Sequence, residues 1–265
     1  MKYFEGKTVW VTGASSGIGK AMAIRLAQAG AQLILSSRKE AALKAVAAEC
    51  GTDAIEILPL DLQDHAGLDT IIADNAALLS KVDVLINNGG ISQRSSVMDT
   101  EFAVYKKLMD VNYLGTVKLS QAVLPSFIKK NKGHYVVISS MAGKFGVPVR
   151  SGYSASKMAL HGFFDALRAE VHKTDIKVTM VCPGYIKTDI SKNALTSDGS
   201  AQGTMDDAQL NGMDVNVMVD KVLSAVASGK EEYHVGGFKE VKMAGLVSRL
   251  FPGLLRKIIA KSRVT

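Results

Sequence analysis

Short apolar runs alternate with helix-like stretches along most of this 265-residue chain, and that alternation constrains the fold more than any other feature. Thr8–Thr12 (TVWVT), Gln32–Ser36 (QLILS) and residues 55–60, 82–87, 135–139 and 177–181 are mostly apolar runs of five or six residues. Runs of that length, without polar alternation, suit strands covered on both faces. Between them apolar residues fall at helical spacing over 17–29, 40–49, 68–79, 101–130 and 153–173. Repeated β-α-β units imply right-handed crossovers and a parallel sheet with helices on both faces. Pro59 lacks an amide donor and so places the third strand at a sheet edge. Residues 189–214 break the pattern, being Gly-, Ser-, Asn-, Asp- and Met-containing with little periodicity. A stretch this long reads as a lid or as a disordered insertion.

Composition closes off other classes. Hydrophobic residues at 47% and charged residues at 22% are ordinary for a globular domain, which excludes a disordered chain, a collagen-like repeat and a disulfide scaffold. No apolar run approaches the roughly 18 residues of a membrane-crossing helix. The first seven residues carry Glu5 and no apolar stretch, so no signal peptide is expected. Cys50 and Cys182 sit in apolar surroundings and read as buried thiols of a reducing compartment, the cytoplasm. The length suits one α/β domain, taken as 1–238, followed by an extension over 239–265.

The net charge of +7 is concentrated in that extension. Lys239, Lys242, Arg249, Arg256, Lys257, Lys261 and Arg263 face Glu240 alone, which leaves the body of the chain at about +1. A nearly neutral body without aromatic residues interleaved among cations is no nucleic-acid surface. His65, His134, His161, His172 and His234 are scattered, and neither H-E-x-x-H nor a paired-cysteine spacing occurs, so no metal is expected.

The first strand runs straight into Thr12-Gly13-Ala14-Ser15-Ser16-Gly17-Ile18-Gly19 and then an amphipathic helix. A glycine turn at that place sets backbone N–H groups and the positive end of a helix dipole against a pyrophosphate. With Asn87-Asn88-Gly89-Gly90, Ser140, Tyr153-x-x-x-Lys157 and Pro183-Gly184 in order behind it, the chain resembles the short-chain dehydrogenase/reductase family from about residue 6 to residue 236. The resemblance implies a single-domain Rossmann-type doubly wound sheet of about seven strands. It departs at Gly89, where the family usually has Ala, and this is expected to loosen the turn.

The resemblance also assigns roles. Tyr153 and Lys157, four apart, share one helix face. A tyrosine that exchanges protons near neutrality needs its phenolate stabilised by roughly 4 kcal/mol, which a neighbouring ammonium helps to supply. Ser140, thirteen residues before the tyrosine at the end of a buried strand, would hydrogen-bond the substrate oxygen, while Ser139 would point the other way. Asn112 matches a fourth catalytic position that interrupts its helix and holds a water. The resemblance places the cofactor on Gly13, Ser15, Ser16, Gly17, Ile18, Gly19, Ser37, Asp61, Leu62, Asn88, Gly89, Tyr153, Lys157, Pro183, Gly184, Ile186 and Thr188. At the end of the second strand Ser37 stands where an NAD-preferring member carries an acid, and Arg38 and Lys39 follow, two cations expected in the first turn of the next helix. Cations there oppose the helix dipole unless an anion joins them, so NADP is the expected cofactor.

The implied activity is NADP(H)-dependent interconversion of a carbonyl and a secondary alcohol. The ending resembles members acting on lipophilic carbonyls, such as hydroxysteroid and retinol dehydrogenases. A 3-oxoacyl-carrier-protein reductase is the alternative, and a non-catalytic NADP-sensing protein a more distant one. A homodimer or homotetramer is expected through helices 101–130 and 153 onward, with Ala155, Ala159, Phe163, Phe164 and Leu167 as an apolar stripe. From Met243, Leu246, Val247, Leu250, Phe251, Leu254, Leu255, Ile258 and Ile259 recur at three- and four-residue spacing, with Pro252-Gly253 dividing them into two short helices. Such basic amphipathic helices can lie peripherally on an anionic membrane, or pack over the substrate cleft or a partner subunit.

Overall fold

The computed structural model describes residues 1–237, 241 and 244–261. Of the extension residues named above, Lys239, Glu240, Lys242, Met243 and Arg263 lie outside the described residues. Strands β1 (Thr8–Thr12), β2 (Gln32–Ser36), β3 (Ile55–Ile57), β4 (Val84–Asn87), β5 (Lys132–Ile138), β6 (Asp175–Pro183) and β7 (Glu232–Val235) form one parallel sheet in the order β3-β2-β1-β4-β5-β6-β7. The order reverses between β1 and β4, the crevice where doubly wound sheets bind ligands.

Side chains alternate across the sheet with the period of two that a strand imposes. Val9 and Val11 of β1 join Leu33, Leu35, Val84 and Ile86 beneath α1 (Gly17–Gln28) and α9 (Val215–Ala227). Trp10 points the other way, with Ile34, Leu85, Tyr135 and Val137, beneath α3 (His65–Asp74), α6 (Gly115–Lys129) and α7 (Ser151–Glu170). The remaining helices are α2 (Glu40–Cys50), α4 (Ala76–Leu79), α5 (Phe102–Met109), α8 (Asp207–Leu210), α10 (Ala244–Leu250) and α11 (Pro252–Lys261).

Several boundaries differ from the sequence expectation for definite reasons. The third strand ends at Ile57. Leu58 and Leu60 still donate to Leu35 and Ser37, but Pro59 between them has no N–H, and β3 is indeed the edge. The fifth and sixth strands begin earlier, at Lys132 and Asp175, since their polar first residues pair with each other at the sheet's end. The long helix 101–130 is interrupted by a π-helical turn over Asp110–Leu114, centred on Asn112. Phe164 and Leu167 are buried in their own subunit's core, so the expected interface stripe is divided, with Ala155 exposed and Phe163 half-buried.

The 189–214 segment is tied down. The Leu195 amide donates to the Ser92 carbonyl and the Arg94 amide to the Leu195 carbonyl, at 2.9 and 2.8 Å. Further bridges join Leu195 to Ala201 and Ile186 to Met213. At the other end Pro252 opens α11, and no described helix is long and apolar enough to cross a membrane.

Candidate active site

The loop after β1 is shaped by close backbone approaches. Gly13 has φ +63, and a Cβ there would lie 2.8 Å from the Gly89 Cα. Gly19 faces the Gly13 carbonyl so closely that a side chain has no room. Ser16 precedes α1 in extended conformation without a side-chain cap, and no acid occupies the first turn, so the amides and dipole of that end stay uncompensated. The Thr188 methyl reaches this end, 3.4 Å from where a Gly17 Cβ would be. Its hydroxyl and the Ile186 carbonyl are held by Gln209.

The neighbouring turn is firm where the sequence led us to expect a loose one. The Thr12 hydroxyl oxygen accepts from both the Asn88 and Gly89 amides at 3.0 Å, and the Asn88 carboxamide donates to the Thr12 carbonyl at 2.9 Å. Two hydrogen bonds to one side chain compensate for the freedom of glycine. Leu62 fills the space that a Cβ on Gly89 would take, its Cδ1 lying 2.6 Å from that position. Asp61 accepts from the Gln63 amide at 2.9 Å. Pro183 ends β6, and the Gly184 amide donates to Val235.

A dinucleotide fits this cradle on one observation above all: the Ser37 hydroxyl is buried without a protein partner at the end of β2. Arg38 and Lys39 stand beside it, but not where expected. Helix α2 opens at Glu40, with Lys39 as its N-cap, because both cations are used in the turn from the strand. An acid therefore holds the first turn and pairs with Lys44 at 2.7 Å, so the helix-dipole argument for an anion falls away. What remains is two exposed cations, without an ion pair among the described residues, next to an unpartnered hydroxyl.

Tyr153 and Lys157 lie one turn apart on α7 and are both buried. Ser140, two residues past the end of β5, neighbours the Tyr153 phenol and accepts from the Ala142 amide at 3.1 Å, while Ser139 turns away to His161 at 3.0 Å. Burial raises the Tyr153 phenol above the ordinary tyrosine value, against Ser140 and the Arg150 and Arg94 cations, which lower it. Burial also lowers the Lys157 ammonium, to about 8, although Cys182 opposes this. Lys157 Nζ sits 5.9 Å from the tyrosine ring centroid. Asn112 is fully buried and locks the β4 loop: its carboxamide accepts from the Ile91 amide at 2.8 Å and donates to the Ile91 carbonyl and the Ser156 hydroxyl at 2.9 Å. Gly90 lies between them, where a Cβ would be 3.0 Å from the Asn112 oxygen and 3.4 Å from Lys157 Nζ.

Four residues here escaped the sequence reading. Gln93 Oε1 accepts from the Gly152 and Tyr153 amides at 2.8 and 3.3 Å, capping the helix that carries the tyrosine. Arg94, Arg150 and Asp206 form a buried ionic cluster, with the Asp206 carboxylate accepting from Arg94 Nε at 2.8 Å and from Arg150 at 3.2 Å. The only sequence signal was polar residues in the aperiodic stretch and behind the Asn-Asn-Gly-Gly turn. Folding also gathers Cys182, Glu232 and His234, which the scattered histidines did not suggest. Lys144 occupies Glu232 at 2.9 Å, and burial pushes the Cys182 thiol up to about 12, so this is an ion pair beside a protonated thiol.

Comparison with known proteins agrees with this arrangement. The family model described as short chain dehydrogenase matches residues 7–199. The chain is 43% identical over 243 residues to dehydrogenase/reductase SDR family member 7B of Xenopus laevis, covering 89% of this chain and 75% of that protein. It is 40% identical to the Mus musculus protein of the same name, covering 97% and 81%. Among solved structures, a short-chain dehydrogenase from Streptomyces avermitilis aligns with TM-score 0.78 at 27% identity, over 97% of this chain and 95% of that one. A short-chain dehydrogenase from Sphingobium yanoikuyae in complex with NADPH aligns at 0.76 and 25% identity, over 98% and 97%.

Proposed function

The chain is an oxidoreductase of the short-chain dehydrogenase/reductase family acting on the CH–OH group, and from that premise we propose that it is an NADPH-dependent reductase of lipophilic carbonyl compounds. The observation that carries this reading is Tyr153 and Lys157 buried one turn apart on α7, the Lys157 ammonium 5.9 Å from the tyrosine ring centroid, with Ser140 just past the end of β5 as the phenol's neighbour. Ser140 and Tyr153 hold the substrate oxygen, and Tyr153 gives it a proton. Lys157 favours the phenolate left behind and binds the cofactor ribose. NADPH, when bound, supplies the hydride. The orphan Ser37 hydroxyl beside Arg38 and Lys39 supports a 2′-phosphorylated ribose, and the NADPH complex of the Sphingobium relative agrees with it. The relatives named above carry the dehydrogenase/reductase description and none of those named is a 3-oxoacyl-carrier-protein reductase, so that alternative is not favoured.

Two finer readings belong with it. The chain assembles with copies of itself through the helices of 101–130 and 153 onward, on which Phe102, Leu114 and Met158 are exposed. The terminal helices rest on an anionic membrane: Leu246, Leu250, Phe251, Leu254 and Ile258 are each 52–60% exposed, with Arg256, Lys257 and Lys261 alongside, while Leu255 is buried. Flotation with anionic liposomes tests this. Binding is expected at low salt, to fall at high salt and to vanish on deleting 243–265; equal binding by the truncated chain contradicts it.

The activity is tested by loss of nicotinamide absorbance on a panel of long-chain ketones and aldehydes, steroid ketones and short polar ketones. Turnover of the lipophilic members with NADPH, and much less with NADH, is expected. Turnover of the short polar ones alone contradicts the substrate class.

A further inference from the structure

The helix that carries Tyr153 gets no acceptor from its own N-cap residue. That residue, Arg150, has only donors on its side chain, and no acid stands in the first turn. The Ser154 amide makes the first intrahelical bond, to the Arg150 carbonyl at 2.8 Å, so the amides of 151–153 need acceptors from outside the helix. Gln93 supplies one from the loop after β4. Its Oε1 accepts from the Gly152 amide at 2.8 Å and from the Tyr153 amide at 3.3 Å. Amides only donate, so the carboxamide oxygen must face them, and the nitrogen donates to the Ser95 and Thr100 hydroxyls at 3.1 and 3.2 Å. Gln93 is fully buried, and both polar atoms of its side chain are satisfied inside the protein.

The surroundings are shaped for this contact. A Cβ on Gly152 would come 3.1 Å from Gln93 Oε1 and 2.8 Å from the side chains of Leu108 and Tyr105, so the approach depends on glycine there. The chain enters the helix through Val149 at φ +54, a left-handed conformation that is costly for a β-branched residue. The Ser95 amide holds the Val149 carbonyl at 3.0 Å, so one loop grips both sides of the turn into α7. That loop is itself fixed. Asn112 bonds both backbone groups of Ile91, and Leu195 of the aperiodic segment bonds the Ser92 carbonyl and the Arg94 amide, on either side of Gln93. We propose that Gln93 is a positioning residue for Tyr153: its carboxamide oxygen fixes the first turn of α7, and with it the point from which the tyrosine side chain reaches the substrate oxygen. Gln93 acts through the Tyr153 main chain, not on the reacting atoms. The proposal rests on Tyr153 being the proton donor. A proton donor displaced by about 1 Å loses more in the transition state than in binding, so the effect falls on kcat.

The test compares Gln93→Met, which keeps the length and removes the acceptor, with Gln93→Glu, whose carboxyl keeps an oxygen at that place in either protonation state. Hydrogen exchange at the Gly152 and Tyr153 amides is followed by NMR in the NADP+ complexes. The kcat and KM are measured with NADPH on whichever carbonyl of the panel above the parent reduces best. Gln93→Met should exchange about tenfold faster at both amides and lose about 10- to 100-fold in kcat, with the carbonyl KM and the NADPH dissociation constant within about twofold of the parent. Gln93→Glu should exchange like the parent and recover most of the kcat. Unchanged exchange, faster exchange with unchanged kcat, a loss carried by KM, or a Gln93→Glu variant as impaired as Gln93→Met would overturn the proposal. Should Gln93→Met not fold, Gln93→Asn, one methylene shorter, takes its place with the same expectations. Failure of both to fold and bind NADP+ would make Gln93 a residue of the fold alone and overturn the proposal too. A parent that reduces no carbonyl of the panel overturns the reductase reading and this proposal with it. A parent that turns over while Gln93→Met keeps its kcat overturns this proposal alone.

Discussion

The Lys157 ammonium donates to the Ile138 carbonyl oxygen across 2.8 Å, so the lysine one turn from Tyr153 is tied to the last residue of β5. The bond positions the ammonium and leaves it buried, which brings it down to about 8. Its positive form prevails below that value and is lost above it. Reduction should therefore fall as pH rises through about 8, and Lys157→Arg, which stays charged, should move that limb to higher pH, as kcat/KM profiles will show.

The same lysine carries a cost to the fold. A lowered ammonium means that the charged form is disfavoured in the native state below about 8, a cost relieved as pH rises towards 10.5. Lys157→Met should accordingly abolish turnover yet leave melting at neutral pH unchanged or a few degrees higher. A marked drop in melting temperature would show the Ile138 hydrogen bond to outweigh desolvation.

Cofactor choice should follow Arg38. Replacing it with Asp removes a cation beside Ser37 and introduces repulsion toward a 2′-phosphate. The kcat/KM for NADPH should fall about 10- to 100-fold, the range of one charge-assisted contact, with NADH affected far less. Equal losses with both cofactors would remove Arg38 from the phosphate site.

How far the sequence reveals this molecule can be judged element by element. The alternation of apolar runs and helical periods was enough for the parallel sheet, because strands buried on both faces such as TVWVT leave a local signature. That Tyr153 and Lys157 share a helix face follows from their spacing, which is local too, whereas Ser140 was picked out by the family resemblance. Gln93, Arg94 and Asp206 were invisible, since a buried ion pair 112 residues apart in sequence leaves no periodicity. Arg38 and Lys39 were set two residues too far into the helix, because a dipole argument does not locate a helix start. At Gly89 the residue type was read without its partner, Thr12, whose hydroxyl holds the turn.

That turn gives a packing test. Gly89→Ala, the residue usual in the family, would place a methyl 2.6 Å from the Leu62 Cδ1 and should destabilise the chain by about 1–2 kcal/mol. Leu62→Val should recover much of that loss. Denaturant melts of the two single variants and the double variant measure the coupling, and strict additivity would show that the contact is relieved some other way.

Acid sensitivity should come from His134. It is buried on β5 between the Tyr3 hydroxyl at 2.8 Å and the Thr179 hydroxyl at 2.9 Å, and burial lowers it from 6.5 to about 3, with the Lys177 and Lys7 charges adding to the effect. The unfolded chain takes up a proton below 6.5 that the folded chain refuses, so stability present above 6.5 is lost as pH falls toward about 3, by up to about 1.4 kcal/mol per unit. His134→Gln can keep both hydrogen bonds without titrating, and its stability should fall less over that window in denaturant melts.

The central claim is that the Tyr153 phenol supplies the proton to a carbonyl held by Ser140. Once a reducible carbonyl is identified, the kcat of Tyr153→Phe with NADPH tests it directly, alongside the NADPH dissociation constant. The account predicts a fall of about 10²- to 10⁴-fold in kcat, the range of a lost general acid, with NADPH binding nearly unchanged. Full turnover by Tyr153→Phe would contradict it.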